Sequence, residues 1–86
     1  MAPSRPRRAE GLDVNEVEDG VIVYQESTDR VHHLNPTAAV ILELCDGTRT
    51  VEDIARAVAD LFGLGDTPEQ ATATCLEELA AERLVS

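Results

Sequence analysis

One stretch, residues 31–47, constrains the fold more than any other part of the chain, because it begins as a strand and ends as a helix. Asn35 is a strong N-cap residue, since its side-chain oxygen accepts a free backbone N–H of the first helical turn. Pro36 follows at the position where its fixed φ suits a helix and its missing N–H leaves no hydrogen bond unmade. Gly47 can adopt the left-handed conformation of a C-terminal cap, so we expect it to end the helix. The sequence therefore predicts sheet before this switch and helix after it.

Three short strands are predicted before the switch, at Leu12–Val17, 21–24 and Arg30–Leu34. The second is β-branched or aromatic throughout, which favours a strand. Asp19-Gly20 is a strong hairpin signal, and residues 26–29 form a second polar turn. Two short connections in succession predict an antiparallel meander with the third strand at one edge.

Apolar residues at helical spacing predict three helices after the strands. The first has a stripe of Ala38, Ile41, Leu42 and Cys45. The second opens with a near capping box at residues 50–53, stops at Gly63, and has a stripe of Ile54, Ala57, Val58, Leu61 and Phe62. The third opens with Thr67 as the cap, Pro68 at the first helical position and Gln70 reaching back, and its apolar positions are Ala71, Cys75, Leu76 and Leu79. The predicted class is α+β, a three-stranded antiparallel sheet followed by three helices, of winged helix-turn-helix type.

The 86 residues leave room for one domain, which we assign to residues 11–86. Residues 1–10 contain prolines and arginines without an apolar period, so we expect a flexible tail, with a basic arm for a partner as the alternative. The net charge is −10 and the chain contains no lysine, which disfavours nucleic acid and anionic membranes as partners. The acidic surface serves either solubility or the steering of a basic partner.

Catalytic and metal chemistry find little support in the sequence. Cys45 and Cys75 lie on apolar stripes, where a free thiol packs as a small hydrophobe, and we expect both to be reduced in the cytoplasm. His32 and His33 are neighbours on a strand and point to opposite faces, so they do not readily chelate one ion. A contact to a peptide or a half-buried position suits these imidazoles better than a metal site, and we predict no cofactor and no enzyme activity.

Three motifs stand out in the middle of the chain: Leu-Asn-Pro-Thr-Ala-Ala at 34–39, Ile-Leu-Glu-Leu-Cys-Asp-Gly at 41–47 and Arg-Thr-Val-Glu-Asp-Ile at 49–54. Together with Phe62 and the ending Leu76…Leu79…Leu84, they resemble the PqqD family. This resemblance implies a RiPP recognition element, a small winged-helix-like domain that binds the leader of a ribosomally made precursor peptide. It also implies a modifying enzyme as the second partner, often a radical SAM protein. The hairpin at residues 25–29 and an ending without an aromatic residue depart from the founding member, which serves pyrroloquinoline quinone synthesis.

An edge strand has unpaired backbone groups to which an extended peptide can add as a further strand. The resemblance places the leader between the third strand and the third helix. The expected contact residues are Arg30, Val31, His32, His33 and Leu34 on the strand and Thr72, Cys75, Leu76 and Leu79 on the helix. The alternative for Leu34, Leu76 and Leu79 is that they are core residues and do not contact a peptide.

Two other functions remain open from sequence alone. A winged-helix DNA-binding module is the first, although residues 68–82 contain no basic residue and four glutamates. A small enzyme or cofactor carrier is the second, and it lacks a candidate site. The same exposed edge can pair with a second copy, so a monomer or a weak dimer is expected.

Overall fold

In the computed structural model, residues 4–86 are described, and they form three strands followed by three helices. The strands are β1 (Leu12–Val17), β2 (Gly20–Gln25) and β3 (Arg30–Leu34). The helices are α1 (Pro36–Leu44), α2 (Val51–Phe62) and α3 (Glu69–Ala81). The sheet is antiparallel in the order β1-β2-β3, so β3 lies at an edge. The predicted α+β class and order of elements are confirmed.

The core lies between one face of the sheet and the helices. Burial alternates along β2, where Val21, Val23 and Gln25 face inward while Ile22 and Tyr24 face the other side. The helices and the C-terminal segment supply the remaining buried apolar side chains, which are Ile41, Leu42, Cys45, Ile54, Val58, Leu76, Leu79, Leu84 and Val85. Leu34 of β3 packs against this aliphatic core, which therefore supports β3 from its inward face.

The predicted starts of α1 and α2 are confirmed by their caps. The Asn35 side chain accepts a hydrogen bond from the Ala38 N–H at 2.8 Å. Thr50 and Asp53 form a reciprocal capping box, in which each side chain accepts from the backbone N–H of the other residue. Gly63 ends α2 in the left-handed conformation, with φ 64°. These local signals fix where the chain turns from sheet to helix.

Two predicted helix boundaries, the end of α1 and the start of α3, are wrong. Helix α1 ends at Leu44 with Cys45 as the cap, before Gly47. Gly47 does have a positive φ of 84°, but it serves the next turn, where the Asp46 carboxylate accepts hydrogen bonds from the N–H and hydroxyl of Thr48. Helix α3 begins one residue later than predicted, with Pro68 at the cap position and without a side-chain cap.

The inward face of α2 also differs from the predicted stripe. Leu61 and Phe62 are 65% and 42% exposed, while Ala55 and Ala59 are buried. The buried face of α2 is therefore rotated from the predicted stripe toward Ala55 and Ala59. These small side chains allow neighbouring elements to approach the helix closely. Leu61 and Phe62 are left on the surface near the loop that leads to α3.

The N-terminal segment, residues 6–9, is held against the body, which differs from the flexible tail expected for residues 1–10. Pro6 is buried, and Arg7 exchanges backbone hydrogen bonds of 2.9 Å with Ser86 in both directions. Arg8 donates to the Cys45 carbonyl and Ala9 to the Leu84 carbonyl, each at 2.8 Å. These hydrogen bonds join only main-chain groups, so the side-chain pattern of the sequence could not predict them. The first three residues of the expected tail lie outside the described residues.

No helix among residues 4–86 is long and apolar enough to span a membrane.

Candidate functional site

An open groove lies between the free edge of β3 and helix α3, where the sequence predicts a binding site. Its volume is about 540 Å³. On the strand side it is lined by Val31, His32, His33 and Leu34, on the helix side by Cys75, Glu78, Leu79, Ala81 and Glu82, and at its base by Ala38 and Leu84. Since β3 pairs only with β2, its other edge presents unpaired backbone groups to this groove.

The strand wall has an inner and an outer row. His32 and Leu34 are half-buried and lie opposite Val23 and Val21 of the inward face of β2. Val31 and His33 lie opposite Tyr24 and Ile22 on the other face, and Val31 is 65% exposed. The two histidines therefore face opposite sides, as expected, and they have different partners. His33 lies 3.6 Å from the Asp19 carboxylate.

The helix wall is one stripe of α3. Cys75, Glu78, Leu79 and Glu82 stand at spacings of three, four and seven residues, which places them on one side of the helix. Leu79 is only 4% exposed and forms an apolar base, while Glu78 and Glu82 are exposed at the rim. The groove therefore has an apolar base and a negatively charged rim.

A buried glutamine holds the two walls at a fixed separation. Gln25 of β2 is 2% exposed. Its Nε2 donates to the carbonyl oxygens of Glu82 and Arg83 at 3.3 and 3.2 Å, and its Oε1 accepts from the Thr28 hydroxyl at 2.9 Å. The same oxygen lies 3.0 Å from Nε2 of His32. Because that oxygen is an acceptor, His32 must be the donor in this hydrogen bond. One side chain therefore ties β3 to the end of α3.

An ion pair closes one end of the groove. Arg30 Nη1 of β3 lies 3.4 Å from Glu82 Oε2, and the two side chains are 67% and 49% exposed. Water and salt screen a pair this exposed, so it contributes little to stability. Arg30 is the first residue of β3 and Glu82 is the cap of α3, so the pair lies where both elements of the groove end.

The base of the groove depends on how α3 ends. Arg83 adopts φ 60°, and the N–H groups of Arg83 and Leu84 donate to the carbonyls of Ala80 and Leu79. This is the Schellman arrangement, in which a left-handed residue, normally glycine, turns the chain back. The turn directs the buried Leu84 to the base of the groove, and Ala9 of the N-terminal segment bonds to its carbonyl.

The structure brings together most of the residues predicted for the site, but not all. Val31, His32, His33, Leu34, Cys75 and Leu79 line the groove. Arg30 lies at its end, Leu76 is wholly buried in the core, and Thr72 is buried and faces a neighbouring cleft. Leu76 and Thr72 support the wall from behind and do not line it.

Five residues that line the groove were not predicted from the sequence: Ala38, Glu78, Ala81, Glu82 and Leu84. Glu78 and Glu82 follow from the helical spacing of Cys75 and Leu79, so the period of α3 contained the signal. Ala81 stands beside them. Ala38 and Leu84 come from α1 and from the C-terminal turn, and their place in the groove depends on tertiary packing.

The two thiols are poorly suited to act as nucleophiles. Burial raises the pKa of the Cys45 thiol to about 12, with further effects from Cys75 and Asp46. Burial also raises the pKa of the Cys75 thiol, followed by the effect of the Glu78 charge. Both groups are therefore thiols at neutral pH, whereas attack requires the thiolate. Within the described residues, no group of three or more His, Cys, Asp or Glu side chains is close enough to hold a metal ion.

A family comparison adds to this geometry. The model of the family described as coenzyme PQQ synthesis protein D (PqqD) matches residues 20–85. The chain belongs to the PqqD family. The match contains β2, β3 and all three helices, and therefore both walls of the groove. A comparison with curated proteins gave no match.

Two solved structures share the fold of this PqqD-family chain. The structure of TbiB1 in complex with the TbiA(beta) leader peptide has a TM-score of 0.75 and 20% sequence identity, over 93% of this chain and 94% of that chain. The solution NMR structure of the PqqD truncation of Methylobacterium extorquens PqqCD has a TM-score of 0.73 and 25% identity, over 94% of this chain and 87% of that chain. The latter is described as a functional, stand-alone RiPP recognition element.

Proposed function

We propose that this protein is a non-catalytic adaptor that binds the leader of a ribosomally made precursor peptide and presents the precursor to a modifying enzyme. The observation that carries the proposal is the free edge of β3 beside an apolar groove. An extended peptide added to that edge gains main-chain hydrogen bonds, while the groove selects its side chains. The five residues of β3 suffice for a peptide strand of about 17 Å.

The proposed contact surface follows from the groove. Val31, His32, His33 and Leu34 would flank the peptide backbone, and Cys75 and Leu79 would face its apolar side chains. The acidic rim at Glu78 and Glu82 favours a leader with basic residues beside its strand-forming segment. Arg30 would limit the bound segment at one end.

The family and the related structures support the peptide as the partner. One of those structures contains a leader peptide and the other is named a RiPP recognition element. The proposed second partner is the modifying enzyme, of the radical SAM class, and tethering the precursor would raise its local concentration at that enzyme. We propose a monomer or a weak dimer, because the β3 edge suits one occupant at a time.

A DNA-binding function is disfavoured by the charge of α3. A helix-turn-helix protein reads DNA with a basic recognition helix, which neutralises phosphates. Here the segment from Pro68 to Glu82 contains four glutamates and neither lysine nor arginine. Such a helix would be repelled from the duplex.

Fluorescence anisotropy with a synthetic leader peptide tests the proposal. The peptide is the labelled leader of the precursor encoded beside the gene for this protein. Ala81→Trp places a large ring in the groove, and Glu77→Trp places the same ring on an exposed part of α3 outside the groove. We expect about tenfold weaker binding for the first variant and a change within about twofold for the second. Equal affinities for wild type and both variants would contradict the proposal.

A further inference from the structure

A second apolar cleft adjoins the groove. It lies among α1, the end of α2 and the first half of α3, with a volume of about 640 Å³. Its apolar lining comes mainly from Ile41, Val58, Phe62, Leu64 and Ala71. Phe62 is the single phenylalanine of the chain, yet it is 42% exposed, and Leu64 beside it is 47% exposed. Adjacent exposed apolar side chains at the rim of a concave apolar surface are typical of a binding pocket.

The cleft is continuous with the peptide groove. Ala38, Cys75 and Glu78 line both cavities. Along α3 the cleft occupies residues 71–78 and the groove residues 75–82, so the two cavities share the helix surface between Cys75 and Glu78. Asn35 and Thr37 place the cleft just beyond the Leu34 end of β3. A peptide that leaves the groove at this end therefore enters the cleft.

The spacing between the two cavities fixes which residue of the peptide reaches the cleft. Their centres along α3 are about four residues apart, which is about 6 Å of helix. An extended chain covers that distance in about two residues. The cleft is large enough to admit a large apolar or aromatic side chain, and its apolar lining favours one.

We propose that the leader carries a large apolar side chain, about two residues beyond its β3-paired segment at the Leu34 end, and that the cleft is its specificity pocket. This inference rests on the proposed function and extends it, since it adds a sequence requirement that strand addition alone does not impose. Phe62 forms part of the pocket wall and would contact that side chain. Backbone pairing then sets the register, and the pocket chooses among peptides that pair equally well.

A double-mutant cycle with the same synthetic leader tests this inference. Each large apolar residue of the leader is replaced by alanine and measured against wild type, Phe62→Ala and Leu61→Ala. Leu61 is a matched control, because it is the neighbouring apolar residue on α2, is 65% exposed and does not line the cleft. Unfolding curves of both variants establish that they are folded.

We expect Phe62→Ala to weaken leader binding about tenfold and Leu61→Ala to change it by less than twofold. Exactly one leader residue should lose its effect in the Phe62→Ala background, and it should show nuclear Overhauser effects to the Phe62 ring. If Ala81→Trp weakens binding while Phe62→Ala does not, the groove function stands and the specificity pocket is refuted. If the leader does not bind at all, the proposed function and this inference both fail.

Discussion

Replacing Gln25 with leucine should destabilise the fold and the groove together. Leucine has a similar volume but cannot reproduce the hydrogen bonds to the Glu82 and Arg83 carbonyls, the Thr28 hydroxyl and His32. Each such bond contributes about 0.5–1.5 kcal/mol net. Thr28 is exposed and His32 half-buried, so both regain water, and most of the cost comes from the two carbonyls. We expect a loss of about 2–3 kcal/mol.

Urea unfolding followed by circular dichroism measures this loss. For a domain of this size the free energy of unfolding falls by about 1 kcal/mol per M of urea, so the midpoint should fall by about 2–3 M. Gln70→Leu is the matched control, because Gln70 is exposed and its side chain makes only a 3.5 Å contact with Thr74. That variant should remain within about 0.5 kcal/mol of wild type.

The Gln25→Leu variant should also bind the leader less tightly, since the end of α3 is no longer held to β3. We expect the affinity to fall about tenfold under conditions where the variant is folded. A Gln25→Leu protein as stable as wild type would refute the view that this side chain ties the two walls together. Unchanged affinity with reduced stability would restrict its role to folding.

Three further predictions concern the elements around the groove. Arg83→Gly should raise the unfolding free energy by about 1 kcal/mol, because glycine adopts the left-handed φ without strain, and chemical denaturation measures this. Removing residues 2–9 should lower the free energy of unfolding by about 1–3 kcal/mol in the same assay, because the backbone hydrogen bonds to Ser86 and Leu84 are lost. A truncated chain of unchanged stability would contradict the structure of this segment. Hydrogen bonds from Thr48 lower the pKa of Asp46, so its carboxylate stabilises the fold above its unfolded pKa of about 3.9, and this stabilisation is lost as the pH falls through the lower folded pKa. The difference in melting temperature between wild type and Asp46→Asn should therefore shrink between about pH 6 and pH 3, and a difference that grows would contradict this sign.

The strands and caps could be predicted because their signals are local. Asn35-Pro36, the Thr50–Asp53 capping box and Gly63 each determine a helix boundary through residues that are neighbours in sequence. Gly47 illustrates the limit of such reasoning. Its positive φ was foreseeable, but the Asp46–Thr48 turn uses it after the helix has already ended.

The groove could be predicted in outline for the same reason. The edge position of β3 follows from the meander, and the helix wall follows from the period of α3. The tie made by Gln25 and the contribution of Leu84 were not predictable, because their partners are 57 residues away in one case and depend on the Arg83 turn in the other. The exposure of Phe62 was missed because periodicity identifies an apolar stripe without identifying which half of it packs.

Strand addition at β3 is the central claim, and amide hydrogen exchange measured by NMR during a titration with the leader peptide tests it most directly. The account predicts shifts at Val31, His32, His33 and Leu34 together with residues 75–82, and new protection of alternate β3 amides, whose N–H groups then bond to the peptide. Shifts confined to the N-terminal segment, or shifts on α3 without added protection on β3, would contradict the account.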